Sequence, residues 1–416
     1  MITTVDRSAG ARSRFTLPPT ASFVAMAAAF AAFFIAAGAP TPLLPIYEAN
    51  WHFPASMVTV AFGVYAIALL ATLLVVGSLS DHIGRRPLLI GALALELVSM
   101  LVFLVSPSIG WIIAARIIQG IATAAATSSF SAAILELAPD KRKHLAGVIA
   151  GLAPAAGIGV GALFSGVIAQ FSSSAAATVW SILAAVMLIA LVFAVFTPET
   201  VTRKPGAIAS LRPHVSVPPA ARKEFAVTLP SLIAAWLVSA LFLGLMPTIL
   251  RLKFSIDGPV VSGLAAFAEQ GTGGAVALAL SNMKPQRLVF GGGFAIVVGL
   301  ALFISSITAS SLPLLWIGAI VGGAGLGAAF TGTIRSLVPL VAAHERAGLF
   351  SAIYVVSYIT FGVPVIVAGL FLSSTGVTAI ALTFGAVTVA AAAAGVVTQL
   401  VTRRRTGIKA AGPGER

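Results

Sequence analysis

Apolar runs of about twenty residues, separated by short polar breaks, repeat along the whole chain. Twelve runs are read as helices: residues 22–46, 55–79, 88–106, 110–137, 145–170, 175–196, 226–249, 259–281, 288–307, 312–338, 347–372 and 376–400. A bilayer core takes about 20 apolar residues per helix, so each run has the length of a membrane span. The first run follows Arg7, Arg12 and Arg14, as a signal peptide's would, but it extends to about Ile46 and contains Pro40, Pro42 and Pro45. A signal h-region is shorter than that. The run is therefore read as an uncleaved first span.

The longest polar break runs from Pro198 to Glu224, in the middle of the chain, and holds Arg203, Lys204, Arg212, Arg222 and Lys223 among several prolines. It reads as a linker between two halves. The expected organisation is a cytoplasmic tail (1–20), a first six-helix bundle (21–197), a cytoplasmic linker (198–225), a second six-helix bundle (226–400) and a basic tail (401–416). Orientation follows from the Lys/Arg bias of the breaks. With the N-terminus in the cytoplasm, one side collects the tail arginines, Arg85, Arg86, Lys141 to Lys143, the linker, Lys284, Arg287, Arg346 and Arg403 to Arg405; the other collects only Arg251 and Lys253. An even number of spans with both termini inside fits this asymmetry.

Composition narrows the class. Only 9% of residues are charged, against about 25% in soluble domains, and the mean hydropathy is +1.05. The net charge of +13 lies in short runs between spans, without aromatic-basic interleaving. It fits anionic lipid headgroups rather than nucleic acid. There are no cysteines, and the five histidines are scattered, so no metal site, cofactor or nucleophile-base-acid set is expected and the chain does not read as an enzyme. Nothing resembles a nucleotide-binding Gly-x-x-x-x-Gly-Lys-Ser/Thr.

The two halves read as copies. Ser80-Asp-His-Ile-Gly-Arg-Arg-Pro-Leu-Leu89 recurs, eroded, as Ser281-Asn-Met-Lys-Pro-Gln-Arg-Leu-Val289, with Asn282 and Pro285 in place of Asp81 and Gly84. Leu137-Ala-Pro-Asp-Lys-Arg-Lys-His-Leu-Ala-Gly147 matches Leu337-Val-Pro-Leu-Val-Ala-Ala-His-Glu-Arg-Ala-Gly348, with one residue inserted. Both matches fall in polar breaks, where chance similarity among Ala- and Leu-rich helices is smallest.

Residues Gly77-Ser-Leu-Ser-Asp-His-Ile-Gly-Arg-Arg-Pro-Leu-Leu-Ile90 form a charged hinge between the second and third spans. Their Gly-x-x-x-Asp-x-x-Gly-Arg-Arg pattern resembles the corresponding loop of the major facilitator superfamily. The resemblance extends over essentially the whole chain. It implies an all-α membrane protein of twelve transmembrane helices in two pseudo-symmetric six-helix bundles, both termini cytoplasmic, with a substrate site near midplane between the halves. It also implies a conformational latch of Gly77, Asp81, Gly84, Arg85, Arg86, Glu136 and Gly348. Asp81 would sit against the start of the eleventh span at Ala347-Gly348, where the helix dipole favours a carboxylate. Gly77 would admit a neighbouring helix, Gly84 would permit the turn, and Arg85 and Arg86 would reach carboxylates such as Glu136 or Asp140.

Polar groups inside the spans are costly and tend to be functional. In the fourth span, Arg116, Gln119, Thr123 and Thr127 share one face at spacings of three and four. Either Arg116 snorkels toward the surface or it faces a cavity, which the polar stripe beneath it favours. In the family such an arginine is tied to proton coupling. Glu269 lies about 18 Å from the inner end of the eighth span and Glu96 about 12 Å into the third, at about 1.5 Å per residue. A carboxyl group at such depth is suited to taking up and releasing a proton near neutral pH, although Glu96 could equally hold a neighbouring helix. In the fifth span, Gly151, Pro154, Gly157 and Gly161 partly match the Gly-Pro motif of twelve-helix drug/proton antiporters. Ala153 and Ile158 stand where that motif has glycines. Tyr65, Trp236, Tyr354 and Tyr358 either line an aromatic cavity for amphipathic or cationic ligands or pack ordinarily.

The resemblance, together with Ala39-Pro-Thr-Pro-Leu-Leu-Pro-Ile-Tyr47, which looks like the sugar-efflux and multidrug-resistance branch, implies a monomeric exporter of the bacterial inner membrane. It would exchange a small organic or drug-like solute for protons by alternating access. Its alternatives are a proton-coupled uptake symporter of a sugar or organic acid, and a non-transporting membrane receptor or scaffold.

Overall fold

The computed structural model describes residues 16–77, 79–202 and 204–410. Arg7, Arg12, Arg14 and Arg203 lie outside the described residues, as do the side chains of Arg403 to Arg405. Among the described residues there is no strand. The first half holds α1 (Pro19–Gly38), α2 (Pro40–Trp51), α3 (Ala55–Val76), α4 (Ser80–Ile83), α5 (Arg85–Leu104), α6 (Ile109–Leu137), α7 (Lys143–Phe171) and α8 (Ala175–Phe196). After the one-turn α9 (Ala207–Ser210) come α10 (Pro219–Ala240), α11 (Met246–Phe254), α12 (Pro259–Ala279), α13 (Pro285–Ala309), α14 (Leu312–Leu337), α15 (Arg346–Thr375) and α16 (Val377–Ala410).

Among the described residues, eleven stretches, with α1–α2 and α10–α11 each counted as one, are helical, long and apolar enough to cross a membrane. The expected span at 259–281 is present as α12, but it does not reach the hydropathy of the others. Its middle reads Glu269-Gln270-Gly271-Thr272-Gly273-Gly274, which dilutes its apolar content. The first span differs from its expected 22–46. Pro40 and Pro42 remove backbone donors, so α1 ends at Gly38 and the chain restarts as α2, reaching Trp51. The second half repeats this device, since α10 passes through a π-helical turn at Leu241–Leu245 before α11 restarts with Pro247. Helix α10 begins at Pro219 rather than 226, because Pro218 and Pro219 initiate it.

Side chains pack into two large buried clusters. One is built on Phe30, Phe33, Phe103, Phe130 and Trp180 of the first half, and the other on Phe242, Ile296, Leu300 and Phe303 of the second. The halves meet along two antiparallel seams, α3 with α15 and α7 with α12. Small residues make both seams close, as suits helices that lack a hydrophobic drive to associate in lipid. A Cβ on Gly63 would meet Ile366 and the Gly362 carbonyl, and one on Gly369 would strike Thr59. Helix α7 is sandwiched: Gly157 and Gly161 face α1 at Phe34 and Ile35, while Gly159 and Gly166 face α12 at Phe267 and Pro259. A Cβ on Gly161 would collide with the Ile35 backbone carbonyl, which cannot rotate away. Gly161→Val is therefore expected to destabilise the protein by about 1–3 kcal/mol or more, read as a lowered thermal unfolding midpoint in detergent.

Burial is one-sided on three of the four seam helices, whereas α15 is buried from Gly348 to Leu372, against α10 and the linker as well as α3. In α3 the buried residues run from Val58 to Leu69 and stop; in α12 they run from Ser262 to Gly274; in α7, Ala146 apart, from Ala153 to Gly166. All lie toward the end of the bundle that carries Glu48 and Arg251. The opposite end, with Arg85, Lys143 and Lys284, is the basic end, and there the seams part.

Candidate functional site

The polar groups that sequence reading singled out fall into three places. At the basic end, α4 is a single turn closed by Gly84, whose φ of 106° suits glycine. Arg85 pairs with Asp81 at 2.5 Å and lies 3.4 Å from Glu136. It also donates to Ser80 Oγ. A further carboxylate, Glu199, organises the turn. It accepts from the backbone N–H of Arg85 at 2.9 Å and of Arg86 at 3.2 Å, placing its charge on the N-terminus of α5 where the helix dipole favours it. Glu199 stands in a Thr-Pro-Glu-Thr stretch just past α8, and only the fold brings it to α5.

Other placements here differ from the expected latch. The Arg86 side chain donates to the Val195 carbonyl. Asp140 pairs with Lys143 at 2.7 Å rather than with either arginine, and the hydrogen bond from that ammonium holds its carboxyl below the usual range. Among the described residues, a Cβ on Gly77 would meet only Leu73 of its own turn. Gly348 at the start of α15 packs against His214 and Ser216 of the linker. The expected approach of Asp81 to Gly348 is not made in this structure.

The second place is a buried network between α1, α3, α5 and α6. Arg116, 2% exposed, points into the protein and does not snorkel. It donates to the Ala61 carbonyl at 3.2 Å, the Ala37 carbonyl at 3.3 Å and Gln119 Oε1 at 2.5 Å. Its guanidinium lies 4.1 Å from the centre of the Tyr65 ring, a cation–π contact. The amide of Gln119 donates onward to Glu96 Oε1 at 3.0 Å and to the Ala36 carbonyl at 3.1 Å. Gln119 thus joins an acid and a base that make no direct pair. The hydroxyls of Thr123 and Thr127 turn back onto the α6 carbonyls of Gln119 and Thr123.

The third place lies in the second half, facing the parted seam. Trp236 of α10 stands 5.2 Å from Tyr358, 5.6 Å from Phe330 and 5.6 Å from Phe361, and Tyr354 is 6.0 Å from Tyr358. Three of the four aromatic residues named from sequence therefore share one wall, and the fourth, Tyr65, packs with Ala37, Leu69 and Ala124 in a cluster that Tyr358 touches from across the seam. One turn beyond Trp236, Ser239 accepts from the amide of Gln270 at 2.6 Å. Beside Gln270 lies Glu269, fully buried, with no cation paired to its carboxylate among the described residues. Its backbone is pressed against Gly323 of α14, which fixes its depth. Of the fifth-span residues, Gly157 and Gly161 pack on α1, Pro154 lies within an unbroken α7, and Gly151 faces open space.

At the end opposite the basic one, Arg251 of α11 pairs with Glu48 of α2 at 2.6 Å, their side chains 22% and 12% exposed. The pair spans the two halves. Glu48 was not singled out in the sequence; its signal there is an acid near the end of the first span, on a side where cations are scarce.

A bundle of membrane-length helices joined along two seams, with acidic and basic groups buried at mid-depth, is the build of a polytopic membrane transporter. Residues 24–322 match the model of the Major Facilitator Superfamily, and the chain belongs to that family. Among solved structures, a bacterial homolog of the human lysosomal transporter Spinster, in an inward-facing and unoccupied conformation, superposes with a TM-score of 0.70 at 15% identity, covering 92% of this chain and 95% of that one. The human organic anion transporter MFSD10 (TETRAN) superposes with a TM-score of 0.61 at 17% identity, covering 91% and 100%. At such identities the likeness is one of fold. No curated protein sequence matches the chain. The function that follows is transport of a small-molecule solute across a membrane rather than catalysis.

Proposed function

We propose that the protein is a proton-coupled exporter of a small organic or drug-like solute, working by alternating access between a first bundle (21–197) and a second (226–400). In this reading α12 is the eighth of twelve spans, both termini and the linker are cytoplasmic, and the basic end faces the anionic inner leaflet. The seams are closed at the outer end and parted at the inner one, so the state is inward-facing, the conformation named for the Spinster homolog.

The observation that carries the reading is Glu269. A carboxylate buried at that depth with no cation paired to it costs several kcal/mol to keep charged. It reaches a water path or a ligand only when the seams rearrange. A group that must change its surroundings to change its charge couples protons to conformation. The aromatic wall of Trp236, Tyr354 and Tyr358 begins one turn from Ser239, to which Gln270 donates, and offers flat, amphipathic surface to a solute. In the first half, Glu96, Gln119 and Arg116 form a second acid-base set that supports the same coupling. The basic-end turn of Asp81, Gly84 and Arg85 governs closure of the inner side.

The test is proton flux. Purified protein is screened for ligands by thermal shift, reconstituted into liposomes holding a pH-sensitive dye, and challenged with a gradient of the best ligand. Protons are expected to move opposite to the solute. Asp81→Asn is expected to slow this exchange several-fold while leaving the ligand-induced thermal shift unchanged, because the turn sits away from the aromatic wall. Unaltered exchange in that variant would remove Asp81 from the gating turn.

A further inference from the structure

The chain between the halves is anchored at both edges of the parted end. At its near edge, His82 Nδ1 lies 3.0 Å from the Pro205 carbonyl, and α9 packs on α4. At its far edge, Ser216 N–H donates to the Gly348 carbonyl at 3.2 Å, and Ser216 Oγ lies 3.2 Å from His214 Nε2. Val217 then tucks into a small apolar cluster with Leu337, Val341, Leu349 and Ile353. The fit at Gly348 is tight. A Cβ there would run into Ser216 Oγ and stand 3.0 Å from the His214 ring.

The register of the α3–α15 seam shows what else belongs at that position. Gly63 meets Gly362, and Thr59 meets Gly369 four residues earlier in α3 and seven later in α15. Carried in the same antiparallel sense toward the basic end, this pairing brings Gly77 and Ser80, the base of the turn that holds Asp81, opposite Gly348. If the outer end opens and the inner end closes, the turn and the start of α15 must come together. In this structure the linker touches both, with Pro205 at His82 of the turn and His214 and Ser216 at Gly348.

We propose that His214–Ser216 is a removable wedge: it occupies the first turn of α15 in the open state and must leave before the turn at Gly77–Gly84 can dock there. The linker is thus a built-in competitor that sets the balance between inward-open and inward-closed forms, rather than a passive connection. The proposal rests on the alternating-access reading. It extends that reading by adding a contact that favours one state.

The absence of cysteine in the sequence makes the test direct. Spin labels on Lys141→Cys and Met283→Cys, both exposed at the basic end of opposite halves, report its width by double electron–electron resonance. The parent protein is expected to show a long and a short distance whose proportions respond to pH or to a stabilising ligand. His214→Ala/Ser216→Gly is expected to enrich the short distance at least twofold at unchanged thermal midpoint. Replacing residues 207–216 by glycine and serine at equal length is expected to do the same, and it guards against an effect peculiar to the double variant. Two distances in the parent with unchanged proportions in both variants would overturn the wedge and leave alternating access standing. A single invariant distance in the parent would overturn both.

Discussion

Glu269→Gln is expected to abolish solute-driven proton movement, a loss of about tenfold or more, while the protein still folds and binds its ligand. Glutamine keeps the shape and much of the hydrogen-bonding capacity of a carboxylic acid, so a site that buries Glu269 fully with no paired cation tolerates it. What glutamine cannot do is ionise. If the solute moves by exchange with a proton carried on this side chain, the variant binds but does not couple. Ligand-induced thermal shift and dye-reported proton flux separate the two outcomes. Undiminished coupling would take Glu269 out of the mechanism and leave Glu96 as the candidate, for which Glu96→Gln is the parallel variant. Because Glu96 is tied through Gln119 to Arg116, that second substitution perturbs packing as well as charge.

Reversing one charge of the outer pair should open the end of the molecule that is closed here. Glu48 and Arg251 meet at 2.6 Å from opposite halves, each largely shielded from solvent. Glu48→Arg or Arg251→Glu places like charges in that half-buried contact. Pairs in such surroundings couple by about 0.5–3 kcal/mol, and about 1–3 kcal/mol corresponds to a shift of roughly 5–150-fold in a two-state equilibrium. The exchange Glu48→Arg/Arg251→Glu should restore most of the closed form. Thr59→Cys provides the readout: Thr59 is fully buried in the α3–α15 seam, so a membrane-impermeant maleimide reaches it only when that end opens. Labelling is expected to accelerate in each single variant and to return toward the parent rate in the exchange. Equal labelling in all forms would show that the pair does not hold this end shut.

Much of this architecture was legible in the chain because a lipid solvent writes itself into composition. Long apolar runs can satisfy their backbone polar groups only as helices. Among the described residues, Arg85, Lys143 and Lys284 lie at the end of the bundle opposite Arg251 and Lys253. The irregularities were harder to read. The prolines at 40, 42 and 45 marked a special first span but did not say that it would restart as α2 and carry Glu48 to the end opposite the basic one. The polar centre of α12 drew notice to Glu269 but also left that helix short of the hydropathy of the others.

The site was legible as a set of residues and not as a set of contacts. Arg116 and Gln119 fall one turn apart, so their bond could be anticipated from helix geometry; the link to Glu96 crosses between helices and could not. Trp236 and Tyr358 lie in separate spans, and periodicity does not say which faces turn inward. Glu199, His214 and Ser216 sit in the linker region, where sequence offers only polarity and proline. Their roles come from where the chain returns in space: Glu199 to the start of α5, His214 and Ser216 to the start of α15. The pairing of Glu48 with Arg251 is of the same kind.

The central claim, that solute and proton are exchanged through two alternately opened faces, is tested most directly by reconstituted flux. Liposomes containing the protein and a pH-sensitive dye, given an inward gradient of a ligand found by thermal shift, should show protons leaving as solute enters, and the response should vanish in Glu269→Gln. Protons moving with the solute would assign uptake symport instead. Solute entry with no proton movement in either form would contradict the account.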